Sequence, residues 1–564
     1  MSLEVFCMDP SIFPEEIWIK ILKYCQVKDI LSLGCTCKYL NKIVSLDYLW
    51  KQKWTQLVSV CDFDFPSVHG LRLNYKDVCL RLHSILHSGT VFPRCSHCMK
   101  FSCDASCSEV LWSKVVVDIG NKYTRVIAPS FIMRRHFTMF GIPKMSPNEN
   151  STDRGGTQDP GGAADTEVAV SAAPRVRQTS KCKRQVNGPF CVFCNPMKLY
   201  REKKRVGQQN GGACCPSQYS ELVNGFCTDT VNILGTPNMD IVSPAAALLQ
   251  DNCYPVVQDF VGHLFHQMRL IPVLQKPNAV LVFCEPLAMS DALRIHLLHY
   301  LFLTIKVARV CMIAKPLAIC AMMRLNTCVV VDSGAFSTSV AVILDGQVVP
   351  ERWKHIPVGG WHVAENLKLA MQWQPKEYTE IPISYLDTLA VKEKCRLSYN
   401  FANEECRNGP ARREHIDLRV DSYADCKQFW RVSLGPELYL APEMMYTSLG
   451  LPRAIRDVTD GLPVNVLKEC LSHILLTGGN TDLMGFKTRV ARDLRDLLPE
   501  YSTVINVMTC PGLNSSSVAM GSTCVTSPRI GDNSSRTPGS PFCPFWLSRE
   551  EYILYGCDAL SEAL

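Results

Sequence analysis

The sequence predicts a small α-helical module followed by an internally duplicated α/β body, and three observations lead there. Residues 11 to 54 carry closely spaced helix signals. The pattern VVVD-x-G occurs twice, at 115–120 and 329–334, each time as a β-branched run entering a tight turn. Strand and helix signals then continue toward residue 564, as in AVLVFCEP at 279–286 and HILLTGGNT at 473–481. Repetition of one strand-and-turn unit within a chain is the mark of duplication.

A chain of 564 residues, 47% apolar and 20% charged, is globular and long enough for two to four folding units. The net charge of +6 is small for that length and by itself argues neither for nor against a nucleic-acid partner, which the distribution of charge decides. The 29 cysteines are scattered, several in apolar runs (Cys284, Cys311, Cys320, Cys328), where a thiol packs as a small hydrophobe. The opening MSLEVFCMDP lacks a basic stretch followed by a sustained apolar one, so a secretory signal is not expected and a reducing compartment is. No uncharged apolar run approaches the roughly 20 residues that cross a bilayer, and a soluble protein of the cytoplasm, the nucleus or both is expected.

In SIFPEEIWIKILKYC, Pro14 suits a first helical turn, Glu15 and Glu16 suit its dipole, and Ile17 with Ile21 recurs at helical spacing. VKDILSLGCTCKYLNKIV places Ile30, Leu31, Leu33, Leu40, Ile43 and Val44 in short apolar groups broken by Gly34, which predicts two small helices and a tight turn. Trp50 and Trp54 follow one helical turn apart. A helical, cysteine-bearing linker is expected over 55–113, a first α/β segment over 114–141 and the rest of the body over 251–564. Between the two, residues 142–250 read as an insertion, expected to be largely disordered and to carry a CxxC pair. Its first part, 142–180, is rich in Gly, Ser, Pro, Ala and Asn and too poor in apolar residues to offset chain entropy, so it is expected to be disordered. A surface loop is expected at 526–544.

The N-terminal segment resembles the F-box, the helical module that docks on the Skp-type adaptor of cullin-based ubiquitin ligases. Phe13, Pro14, Glu15, Glu16, Ile17, Ile21, Leu22, Ile30, Leu31, Leu33, Cys37, Leu40 and Trp50 carry the likeness. A trihelical unit this small cannot bury all its apolar side chains alone. Pro14, Glu15, Ile17, Ile21, Leu22, Ile30, Leu31, Leu33 and Leu40 are therefore the candidate adaptor-binding residues.

The remainder, from about Val115, resembles actin and actin-related proteins, whose fold is a duplicated ribonuclease-H-like α/β body. CYPVVQDF (253–260), CEPLAMS (284–290), VVVDSG (329–334), PVGGWHV (357–363), VKEKCRLS (391–398), APEMMY (441–446), LLTGGNT (475–481) and FWLSREEY (545–552) follow in the family's order. The resemblance implies a nucleotide pocket. Gly120 and Gly334 match glycines of two hairpins that cradle the phosphates of ATP. Asp118 and Asp332 match carboxylates that organise magnesium, Gly478 and Gly479 a loop passing the adenosine, and Lys392 and Glu393 a helix edging base and ribose. Departures argue against turnover. Asn121 and Lys122 replace the Ser-Gly of the first hairpin, and Ala335 and Phe336 replace an acidic residue and a glycine after the second. Lys315 stands where a glutamine positions the attacking water, and a charged lysine accepts no hydrogen bond. Lys122 could pair directly with phosphate. ATP without hydrolysis is the cofactor expectation.

The insertion falls where actin carries its small second subdomain, to which the sequence shows no match, so an actin-type filament is not expected. Two CxxC pairs, Cys95 with Cys98 and Cys191 with Cys194, have the spacing of a zinc site, with Cys103 and Cys107 as a competing second half. The basic clusters KCKR (181–184) and REKKR (201–205) read as solvated loop flanks, since no aromatic residues interleave them. Together the two resemblances imply a non-catalytic adaptor: the F-box joins a Skp-type adaptor and cullin, and the actin-like body holds an unknown protein substrate. The alternative is a structural or chromatin-associated actin-related protein without a ligase role.

Overall fold

The computed structural model describes residues 10, 13–60, 73–86, 113–120, 122–129, 131–138, 140–143, 222–223, 226–227, 239–250, 253–372, 385–399, 414–419, 429–509, 517–523 and 545–556. The expected disordered stretch 142–180, the 526–544 loop and the basic clusters lie almost wholly outside these residues.

Five helices open the chain: α1 (Glu15–Tyr24), α2 (Val27–Gly34), α3 (Lys38–Val44), α4 (Asp47–Val60) and α5 (Tyr75–Leu86). Pro14 sits one position before α1 as its cap rather than inside its first turn, with φ −56° and ψ 155°. Its fixed φ pre-sets the entry, and Glu15 and Glu16 follow at the positive end of the dipole. The Cys37 sulfur caps α3 by accepting from the Leu40 amide. Leu22, Val27, Ile30, Leu40, Ile43, Val44, Leu49 and Trp50 bury one common core. Trp50 is its largest member, and its indole N–H donates to the Val44 carbonyl at 2.6 Å. A buried tryptophan needs that partner, because an unmet N–H costs as much as a lost hydrogen bond.

The α/β body contains β1 (Ser113–Ile119), β2 (Tyr123–Ala128), β3 (Phe131–Phe137), β4 (Phe140–Pro143), β5 (Leu222–Val223), β6 (Phe226–Cys227), β7 (Met239–Val242), β8 (Ala279–Glu285) and β9 (Arg309–Ala314) in its first half. Next come β10 (Cys328–Ser333), β11 (Thr338–Leu344), β12 (Gln347–Ile356), β13 (Glu414–Arg419), β14 (Phe429–Leu434), β15 (Ile474–Thr477), β16 (Val507–Thr509) and β17 (Phe545–Ser548). One sheet has the order β17-β9-β8-β1-β2-β3 and the other β12-β11-β10-β15-β16. Duplication is explicit in the pairing. β1 lies antiparallel to β2 and parallel to β8, while β10 lies antiparallel to β11 and parallel to β15.

The two VVVD runs explain how the halves join. Alternate residues of a strand face opposite sides. Val115 and Val117 enter the core of the first half, and Val329 and Val331 that of the second. Val116 and Val330, facing the other way, share a third core with the helices Lys315–Met323 and Ser517–Thr523 between the sheets. The same alternation brings both strand ends, Asp118 and Asp332, to one cleft.

Two expectations change. Ala245, Ala247 and Leu248, inside the stretch assigned to the insertion at 142–250, are core residues of the first half, anchored by the helix Pro244–Ala247. Small residues and a proline hid this helix among loop-like composition. Where the sequence shows no second subdomain, β4 pairs with both β6 and β7, so β4 at the start of the insertion and three short strands from its later part form a four-stranded sheet. Strands of two to four residues are too short to show a period.

The expected linker also supplies α5, which ties the helical module to the body. Cys79 faces the helical core, while Val78 and Leu82 pack with Ile553 and Leu554 of the helix Arg549–Tyr555. The Arg81 guanidinium donates to the carbonyls of Ile553 at 2.8 Å and Leu554 at 3.0 Å. Both acceptors lie in the last turn of that helix, where carbonyls lack intrahelical partners.

Candidate functional site

The strand registers fix which residues meet in the cleft. Asp118 pairs with Cys284 and, across β2, with Arg125. Glu285 pairs with Ala314, so β9 ends level with β1 and the next residue, Lys315, opens its helix beside Asp118. In the other half, Asp332 pairs with Thr477, immediately before Gly478. A cavity of about 510 Å³ lies between the strand ends and is lined by Asp118, Gly120, Lys122, Asp332, Gly334, Lys392, Glu393, Gly478 and Gly479 among others. Every sequence-selected pocket residue within the described residues is thus brought to one cleft, and Asn121 lies outside them.

Lys315, which the resemblance sets at the place of the water-orienting glutamine, also lines it, as do Arg125 and Asn480, which the sequence did not point to. The Lys315 ammonium lies 2.9 Å from Oδ1 of Asp118 and donates to the Ile119 carbonyl at 2.8 Å. The Arg125 guanidinium lies 3.4 Å from Oδ2 of the same carboxylate. Burial works to raise the Asp118 pKa, but Lys315 and Arg125 overcome it and hold the group below the ordinary carboxylate range. Asp332 goes the other way. Burial and the nearby Asp118 push it up, with Lys315 only partly compensating.

Asn480, fully buried in the LLTGGNT run, joins the second hairpin to the end of the helix Tyr385–Lys392. Its amide donates to Ser333 Oγ at 3.1 Å and to the Gly334 carbonyl at 2.5 Å, while its carbonyl accepts from Lys392 Nζ at 3.0 Å. Burial, and then Lys122, push the Lys392 pKa down to about 8. Lys122 itself sits over the Tyr123 ring, 5.0 Å from its centroid, and burial lowers its pKa while Glu393 opposes. Gly478 has φ +88°, and a Cβ there would lie 2.3 Å from the Ser333 carbonyl oxygen. Only glycine fits that approach.

Phe336 is not on the cavity wall. It is buried against Trp361, ring centroids 5.1 Å apart, and the Trp361 amide donates to the Ala335 carbonyl at 2.6 Å. These contacts tie the residues after the second hairpin to the start of the helix Gly360–Gln372.

The helical module presents a second candidate surface. On α1, Ile17, Ile21 and Tyr24 are 38%, 44% and 76% exposed. Pro14 is exposed, and Glu15, Leu31 and Leu33 are half-buried. Leu22, Ile30 and Leu40, named as adaptor-binding from sequence, are instead buried in the module's own core. Their apolar spacing has two uses, and only packing separates the inner face from the outer one.

Cys95, Cys98, Cys191 and Cys194, with Cys103 and Cys107, lie outside the described residues. Among the described residues no group of three or more His, Cys, Asp or Glu is placed to hold a metal. No described helix is long and apolar enough to cross a membrane.

A helical module packed on the first of two like α/β halves, with a glycine-lined cleft between the halves, defines an actin-fold protein carrying an F-box. The F-box-like family model matches residues 12–56, and the actin family model matches 253–409 and 410–558, more than half of the chain. The chain belongs to the actin family. It is 24% identical over 198 residues to an actin-like protein ARP6 of Yarrowia lipolytica, covering 31% of this chain and 51% of that one. To actin-related protein 3 of Drosophila melanogaster it is 26% identical over 182 residues, covering 30% and 43% respectively. To actin-related protein 4 of Oryza sativa subsp. japonica it is 22% identical over 362 residues, covering 57% and 78%. The chain spans about half the length of the first two.

Proposed function

We propose that this protein is the non-catalytic substrate-recognition subunit of a Skp-cullin-F-box ubiquitin ligase, with its actin-like body as the protein-binding platform. One observation carries the reading: an F-box-like module whose first helix keeps Ile17, Ile21 and Tyr24 exposed while a complete core lies behind them. Apolar side chains held outward on a folded unit suit burial by a partner. The contacts of α5 with the C-terminal helix add support, because they set a fixed geometry between the adaptor-binding face and the body.

Affinity purification of the full chain tests this. Intact protein should capture a Skp-type adaptor with its cullin, and Ile17→Asp with Ile21→Asp should lose both while keeping its thermal transition. Trp50→Ala is the contrasting control. It empties the largest core position and should cost about 3–5 kcal/mol, so it loses capture together with folding of the module. Normal capture by the folded Ile17/Ile21 variant would exclude this docking face.

A further inference from the structure

The cleft combines features suited to two different ligands. Gly120, Gly334 and Gly478 line the cavity and put no side chain on its wall, which leaves room for an anion such as phosphate. Asp118 and Asp332, at the ends of matching strands, would with open space between them suit a hard divalent cation, which takes oxygen ligands. That space holds a cation already. Lys315 Nζ is 2.9 Å from one oxygen of Asp118, and Arg125 is 3.4 Å from the other. An ammonium has three donors and no acceptor, so it cannot ligate a metal ion and repels one. The residues present therefore do not fit the magnesium that the actin resemblance implies.

We propose that the cleft takes a polyphosphate anion without a divalent cation, the Lys315 ammonium supplying the charge between the carboxylates and the phosphate chain. Lysine serves as a compact point charge for phosphate and needs no fixed coordination geometry. Its position is set by the fold, since the register of β8 and β9 brings the start of the Lys315–Met323 helix level with Asp118. Lys122 and Lys392 on the lining add further positive charge. Leu248, Leu249 and Leu389 give that lining an apolar part, and a cavity of about 510 Å³ accommodates a nucleotide-sized ligand. This inference is independent of the ubiquitin-ligase reading.

Calorimetric titration of the full chain with ATP and with inorganic tripolyphosphate, each in excess EDTA and in excess Mg²⁺, decides it. Binding is expected in EDTA, and Mg²⁺ should leave the affinity unchanged or weaken it. Tighter binding of ATP than of tripolyphosphate would assign the apolar wall to the base, and equal affinity would make the phosphate chain the whole ligand. Lys315→Gln should weaken binding in EDTA by about tenfold or more, the loss of one charge-assisted contact, and should gain affinity on adding Mg²⁺. Lys315→Arg, which keeps the charge, should remain independent of Mg²⁺. The wild-type comparison stands even where a variant folds poorly. Strengthening of wild-type binding by Mg²⁺ beyond about twofold, or no binding of either probe at millimolar concentration, overturns the proposal.

Discussion

The ammonium of Lys315 lies 2.9 Å from Oδ1 of Asp118, joining the first helix after β9 to the end of β1 across the intervening strand β8. Neither group is more than slightly exposed, at 15% and 4% of the side-chain surface. Such a pair has lost its hydration, and each charge is tolerated because the other is present.

A double-mutant cycle should therefore show strong coupling at this position. Lys315→Met alone leaves Asp118 with only Arg125 and should destabilise by up to about 3–5 kcal/mol, the cost of breaking a buried pair. Adding Asp118→Asn removes the stranded charge and should recover a good part of that loss. Urea unfolding of the wild type, both single variants and the double variant measures the coupling. Additive losses would show that the two groups do not depend on each other.

Lys392 should give the protein an alkaline stability gain. Its folded pKa of about 8 lies below the usual 10.5, with burial the main cause. Between those values the unfolded chain binds the proton more tightly, so stability from this group rises with pH across that window and falls as pH drops toward 8. Thermal transitions at several pH values should show that rise in the wild type and a flatter profile in Lys392→Met. An anion entering the cleft favours the charged form, so tripolyphosphate binding near pH 8 should take up protons, seen as a buffer-dependent heat.

Hydrolysis of ATP should be absent. Lys315 is committed to Asp118 and the Ile119 carbonyl, and Phe336 is committed to Trp361. The cleft therefore lacks both an acceptor to orient water at the lysine position and a flexible glycine contact after the second hairpin. Phosphate release by purified protein with Mg²⁺ and ATP should not exceed that of Gly334→Glu. Multiple turnover that this substitution abolishes would contradict the assignment.

The two VVVD-x-G runs made the duplicated body legible in the sequence, because a buried strand followed by a tight turn has a short, distinctive residue signature. They located Asp118, Gly120, Asp332 and Gly334 as well. Arg125 was not legible as a pocket residue, although the alternation along Tyr123–Ala128 sets it apart from its buried neighbours. What makes it a partner of Asp118 is the antiparallel register, which is a property of two strands together. Asn480 was hidden similarly: LLTGGNT marks a loop, but its bonds to Gly334 and Lys392 join segments distant in sequence. In the F-box, apolar spacing identified the helices. It could not divide Leu22 and Ile30, which face inward, from Ile17 and Ile21, which face out.

Arg81 offers the most direct test of how the F-box is held on the body. Its two donors meet the carbonyls of Ile553 and Leu554, and the apolar contact beside them joins Val78 and Leu82 to the same two residues. Replacing Arg81 by Ala removes both bonds and should cost about 1–3 kcal/mol, concentrated at this junction because α5 retains Cys79 in the helical core. Leu82→Ala should cost about 2–5 kcal/mol by opening a void in the same contact. Combined, they should release the F-box from the body while each keeps its own core. Hydrogen exchange should then rise in α5 and in Arg549–Tyr555 with little change at Trp50 or in β10. Adaptor capture should survive the release, since the exposed face of α1 is untouched, whereas any ubiquitin transfer that depends on a fixed geometry between F-box and body should fall. Exchange that rises equally throughout the chain would show that the junction is part of one cooperative unit and that Arg81 does not act as a local tie.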